Sequence, residues 1–182
     1  AARIKVNSLH KETPGFIIAT KNLYEDGLLR EDYYKKVLAN ADEIESVIDY
    51  DKDYTFDYFA LTTLIRAYLL KYENKTIERP QDLWMRVALT VTGKEFNLDK
   101  IKETYNSLSS GMYTHATPTL FNSGLKMQQL SSCFLIGMED DSIEGIFNTI
   151  KDCALISKTA GGIGMHAHNI RGSGSRIKST NG

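Results

Sequence analysis

Cysteine is scarce in this sequence: Cys133 and Cys153 are the two among 182 residues. They form no CxxC pair, and no His-x-x-x-His spacing accompanies them. That excludes the disulfide framework of a small secreted domain and leaves no zinc signature. Charge of one sign is also missing, with a net charge of -1 and a pI near 6.5. Without a global positive field nothing holds a nucleic-acid backbone, so any anion must be bound locally. No apolar run approaches the roughly 20 residues that span a bilayer, and Ala1-Ala2-Arg3-Ile4-Lys5 lacks a signal-like apolar block. A cytoplasmic protein with no membrane or nucleic-acid partner is expected. The four histidines, His10, His115, His166 and His168, are scattered. They read as structural or exposed, with no metal site expected; His166 and His168 would share a side only on a strand.

What is present has the make-up of one ordinary soluble domain, 42% hydrophobic and 25% charged. That length is small for an enzyme that must enclose a substrate and a cofactor, so a piece of a larger protein is the expectation. Up to about Ser110 the pattern is helical, with no internal repeat. Residues 31–39 and 41–48 carry apolar side chains at helical spacing, and 49–53 form an acidic break. A strongly apolar helix is predicted over 56–72. Arg79-Pro80-Gln81-Asp82 opens another, with proline in its first turn, an acidic residue beside it and Gly93 to end it. Asn97 caps a further helix through Ile101, Tyr105 and Leu108, stopped near Gly111.

Beyond that the texture changes. Pro118 to Gly124 reads as a loop, and 132–136 as a short buried strand. Asp141-Ser142-Ile143-Glu144 resembles a capping box led by Asp141. Ile143, Ile146, Phe147, Ile150 and Ala154 then give a helix with one apolar face. Gly161-Gly162-Ile163-Gly164 is expected to end it and 165–170 to form a second strand, making a parallel crossover unit. Those glycines follow a helix rather than open one, which excludes a dinucleotide fingerprint.

Thr117 and Ser132 offer hydroxyl donors, and the Gly161-Gly162 turn offers backbone amides, a set that suits a phosphate. The plainer alternative leaves Thr117 starting a turn and Ser132 satisfying a strand edge. Cys133 in an apolar run is, by itself, most simply a small core residue, as is Cys153. Lys158 favours a helix C-terminus on dipole grounds alone.

Five blocks change that weighting: 116–124, Leu130-Ser131-Ser132-Cys133-Phe134-Leu135, Asp140 to Gly145, Ala160 to Gly164, and Ser179-Thr180-Asn181-Gly182. Their order and spacing resemble the large, catalytic subunit of class I ribonucleotide reductases. Residues 1–13 are similar to the stretch just after that family's regulatory ATP-cone module, so the resemblance covers nearly the whole chain.

The resemblance implies an α/β fold: a mainly helical domain over 1–128, then the first strand, helix and effector loop of a ten-stranded α/β barrel over 129–182. It implies that Thr117, Ser132 and Gly161 contact a ribonucleoside diphosphate. Cys133 would be one of two thiols oxidised to a disulfide as the ribose 2′-hydroxyl leaves as water. Its partner would lie outside this chain, so no Cys133–Cys153 disulfide is expected. Asp141, Ser142, Ile143, Lys158, Arg171, Lys178 and Ser179 match positions that bind an allosteric ATP or deoxynucleoside triphosphate effector. From 141 to 158 is 17 residues, about 25 Å of helix, too far for both ends to grip one nucleotide. A homodimer pairing the 141–158 helix with its copy would share the site. Arg171 and Lys158 suit phosphates, and anionic Asp141 suits a ribose hydroxyl.

Further implied partners are a radical-supplying, metal-containing small subunit and thioredoxin or glutaredoxin; no covalently bound cofactor is expected. The family's thiyl-radical cysteine lies beyond Gly182, so no turnover is expected from these residues alone. Two other readings stay open: a non-catalytic effector-binding or dimerisation module, and a segment of an adenosylcobalamin-dependent relative.

Overall fold

Twelve residues from Pro80 to Val91 organise the first part of the molecule. In a computed structural model, which describes residues 1–177, they form a helix whose residues from Pro80 to Leu89 are all buried. A helix apolar or satisfied all round belongs at the centre of a helical unit. Around it, in Ala1–Leu130, come α1 (Ala2–Glu12), α2 (Phe16–Glu25), α3 (Glu31–Ala39), α4 (Ala41–Val47) and α5 (Tyr58–Thr63), then the central α6 (Pro80–Val91), α7 (Leu98–Ser109) and α8 (Thr117–Asn122). Val6, Phe16, Leu23, Val37, Ile44, Leu61, Leu83, Met85, Ile101 and Tyr105 form the core.

The expected starts are found. The Asp82 carboxylate accepts from the Arg79 backbone N–H at 2.8 Å, and Asn97 Oδ1 accepts from the Lys100 N–H at 3.0 Å. Two expectations fail. The segment 56–72 is not one helix: α5 passes into a π-helical turn, Leu64–Tyr68. A hairpin of β1 (Lys71–Tyr72) and β2 (Lys75–Thr76) follows. Glu73 and Asn74 take positive φ of 48° and 63°, the backbone of a tight two-residue hairpin, which is what ends the helix. The loop expected from Pro118 to Gly124 is instead α8, since proline is tolerated in a first helical turn.

The second unit, Ser131–Gly182, holds β3 (Cys133–Gly137), α9 (Ile143–Lys158) and β4 (Gly162–His166). β3 and β4 pair in parallel, with Cys133 opposite Gly162 and Gly137 opposite His166, so the crossover unit is as expected. Its second strand begins earlier than position 165. Ala160, at φ 65°, reverses the chain after α9, which frees Gly162 and Gly164 to enter the strand. The cap is Ser142, whose hydroxyl accepts from the Gly145 N–H at 3.0 Å, rather than Asp141.

The packed face of α9 also differs from the expected one. Gly145 and Thr149 are buried, with Ile146, Cys153 and Ile156 half-buried beside them. Gly145 fits because a Cβ there would lie 2.7 Å from the Asp140 backbone N. Thr149 is satisfied on both sides, donating to Gly145 O at 2.8 Å and accepting from the Glu139 N–H at 3.0 Å. Ile143, Phe147 and Ile150 are 75%, 62% and 49% exposed, so most of the apolar stripe read from the sequence faces outward.

Candidate functional site

The thiol of Cys133 sits at the first residue of β3 and is exposed. The Ser132 hydroxyl hydrogen-bonds to its sulfur at 3.6 Å. Across the ladder the Gly162 N–H donates to Ser132 O at 2.7 Å. Ser132, Cys133 and the Gly161-Gly162 turn therefore meet at one end of the β3–β4 pair. The expected free amides are not there: the Gly161 N–H donates to Ile156 O at 3.2 Å and that of Gly162 is spent on the ladder. Glycine at 161 is required by packing instead, because a Cβ would lie 2.6 Å from Ile156 Cγ2 and 3.0 Å from the Phe134 ring. Cys153, half-buried on α9, is likewise a free thiol.

Residues predicted to bind an effector gather near the start of α9. Arg171 folds back on Asp141, its Nε donating to Oδ2 at 2.7 Å and its Nη2 to the Asp141 carbonyl at 3.0 Å. Ser142 caps the helix and Ile143 lies exposed beside it. Lys158 is at the opposite end, sixteen helical residues away, a span of about 24 Å. Lys178 and Ser179 lie outside the described residues. Among those described, no group of three or more His, Cys, Asp or Glu side chains is gathered to hold a metal.

In the helical unit Thr117 opens α8. Its Oγ1 is 3.3 Å from the Tyr68 hydroxyl, whose ring lies 4.9 Å from that of Phe121. The far end of α8 is tied to α6. Arg86, fully buried, donates from Nη1 to Ser123 O at 2.8 Å and to Leu120 O at 3.2 Å. It also grips Glu78 with two further bonds, of 2.5 and 3.0 Å. Sequence reasoning missed Tyr68, Glu78 and Arg86. Arg86, a charge amid the apolar residues of α6, was the one legible signal, since buried charges are normally paired.

Behind these lies a buried polar layer. Tyr50 donates to Asp82 at 2.7 Å, Gln81 bonds Asp53 and Tyr105, and His10 Nε2 lies 2.7 Å from Asp53. Burial pushes the Asp82 carboxyl up to about 7 from its ordinary 3.8, and raises Asp53 too, against the lowering effects of His10 and Gln81. Burial also raises the Tyr105 phenol, to about 12.

These features define a two-part α/β chain: a mainly helical domain, then a parallel strand-helix-strand unit with a thiol and a hydroxyl at one strand end. Residues 54–128 match the family model of the ribonucleotide reductase all-alpha domain, and residues 131–182 that of the ribonucleotide reductase barrel domain. The chain is 47% identical over 192 residues to the ribonucleoside-diphosphate reductase large chain of Schizosaccharomyces pombe. It is 46% identical over 192 residues to the large subunit of Arabidopsis thaliana, and 48% identical over 191 residues to that of Plasmodium falciparum. Each comparison covers 100% of this chain and 23% of the relative. The chain belongs to the ribonucleotide reductase large-subunit family, and it spans about a quarter of the length of these relatives. No helix among the described residues is long and apolar enough to cross a membrane.

Proposed function

We propose that this chain is the helical domain and the opening of the barrel of a ribonucleoside-diphosphate reductase large subunit, and that it supplies one redox thiol and part of the substrate and effector sites. The observation that carries the reading is the exposed Cys133 thiol with the Ser132 hydroxyl on its sulfur, at a strand end where substrate can reach it.

In the reaction proposed, the ribose 2′-hydroxyl of a ribonucleoside diphosphate leaves as water. Two electrons and two protons come from Cys133 and a second cysteine of the large subunit, which end as a disulfide, and a dithiol protein such as thioredoxin or glutaredoxin restores them. That cycle needs a reducing compartment such as the cytoplasm. The radical that starts the chemistry comes from a metal-containing small subunit. Thr117 and Ser132 donate hydroxyl hydrogens to the diphosphate or ribose, and Gly161 contacts the same substrate. Three-quarters of the relatives' length lies outside these residues, so the 182-residue chain is expected to show no turnover.

Asp141, Ser142, Ile143, Lys158 and Arg171, with Lys178 and Ser179, form the effector site in this reading. The outward stripe of Ile143, Phe147, Ile150 and Ala154 supports antiparallel pairing of α9 with its copy in a homodimer. Such pairing brings Lys158 of one subunit to the Asp141 end of the other. An ATP or deoxynucleoside triphosphate would engage Arg171 and leave Asp141 for the ribose. The test is Cys133→Ser in the full-length large subunit assayed with its small subunit. Loss of sustained diphosphate reduction is expected, and undiminished turnover with thioredoxin would overturn the reading.

A further inference from the structure

Thr117 is the one proposed substrate contact in the helical unit, and its surroundings differ from those of an ordinary surface threonine. Its hydroxyl meets the Tyr68 phenol at 3.3 Å. Tyr68 ends the π-helical turn Leu64–Tyr68. In a π turn each bond spans five residues rather than four, and here the Leu69 N–H reaches Leu64 O at 2.9 Å. Widening a turn by one residue rotates every following side chain relative to an ordinary helix, and such turns recur at functional sites. The consequence is specific: the Tyr68 ring meets Phe121 while its hydroxyl meets Thr117, so one side chain engages both positions, i and i+4, on a single face of α8.

We propose that Tyr68 is a positioning residue for the phosphate-binding hydroxyl of Thr117, an inference that rests on the reading of Thr117 given above. The direction of the hydrogen bond follows from the ligand. Phosphate oxygens at neutral pH only accept, so Thr117 must donate its single hydrogen to them. The bond between the two hydroxyls then runs from the Tyr68 O–H to Thr117 Oγ1. A hydroxyl that accepts one bond while donating another is polarised and held in one rotamer, which strengthens the outer bond to the anion. The segment carrying Thr117 is also anchored at its other end by Arg86, through Leu120 and Ser123. Tyr68 thus controls the orientation of one hydroxyl on an already fixed support, and does not itself touch substrate.

The experiment uses the full-length large subunit with its small subunit and saturating effector, and compares Tyr68→Phe, Thr117→Val and the double variant. Phenylalanine keeps the ring against Phe121 and removes only the hydroxyl. Tyr68→Phe is expected to raise KM and the directly measured Kd for the nucleoside diphosphate by about fivefold, the effect of one ordinary hydrogen bond. Neither kcat nor effector affinity should change appreciably, which a general loosening of the fold would not produce. In the Thr117→Val background Tyr68→Phe should add nothing, because the hydroxyl it serves is gone. If Thr117→Val leaves diphosphate binding unchanged, the reading of Thr117 itself falls. If Thr117→Val weakens binding but Tyr68→Phe does not, or the two effects simply add, the positioning role falls and the reading of Thr117 stands.

Discussion

Replacing Arg86 by Met removes the tie between α6 and the segment bearing Thr117. The Arg86 and Glu78 side chains are 2% and 3% exposed, so solvent screens this ion pair little. Four bonds disappear: two to the Glu78 carboxylate and two to the carbonyls of Leu120 and Ser123. The variant leaves Glu78 buried, still accepting from the Leu70 N–H at 2.9 Å. Breaking a buried pair by removing one partner destabilises by about 3–5 kcal/mol, and the two carbonyls that lose a donor add about 1 kcal/mol each. A helical unit of this size is stable by roughly 6–20 kcal/mol, so the loss is large yet measurable.

Trp84, the single tryptophan, lies on α6 two positions from Arg86 and reports unfolding of this unit in a urea titration followed by fluorescence. Replacing both partners, Arg86→Met with Glu78→Met, should recover most of the loss, because an apolar pair of similar volume is often as stable as the ion pair it replaces. A single variant destabilised by less than about 1 kcal/mol would refute the reasoning. So would a double variant no better than the single.

Asp82 gives a pH prediction. Its folded pKa, about 7, is above the ordinary 3.8, so the fold favours the protonated acid. That contribution is fully present below about pH 4 and is lost as pH rises through about 7. Urea midpoints of Asp82→Asn should depend less on pH over this window than those of the unaltered chain; equal slopes would contradict the assignment. Gly161→Ala forces a Cβ to within 2.6 Å of Ile156 and should destabilise the strand-helix-strand unit by about 1–3 kcal/mol. Hydrogen exchange of the β3 and β4 amides would show it, and unchanged protection would count against the tight packing. Limited alkylation followed by peptide mapping should label exposed Cys133 before half-buried Cys153; the reverse order would place the accessible thiol on the wrong element.

Much of the local structure was legible because its causes are local. Pro80 with Asp82, and Asn97, announce helix starts through bonds that close within four residues. The alternation of an apolar run, a long amphipathic segment and a second short run defines the parallel crossover without reference to anything distant. The blocks around Thr117, Cys133 and Asp141 carry the family assignment for the same reason, since a motif's order and spacing survive in one dimension.

Tertiary structure decided what periodicity leaves degenerate. α9 carries apolar residues on more than one side, and hydropathy favoured the stripe through Ile143 and Phe147. Close approach to β3 and β4 needs small side chains instead, and selects Gly145 and Thr149. The Gly161-Gly162 amides looked available for a phosphate, but the ladder to Ser132 and the return to Ile156 consume them. The contact between Tyr68, at the end of the π turn, and Thr117 spans 49 residues of sequence separation, and no local signal encodes a contact whose two halves lie on different elements. The sequence alone therefore determined which residues are the candidates for the chemistry. The packing of the helices and the strand register decided which of their donors and acceptors remain free to perform it.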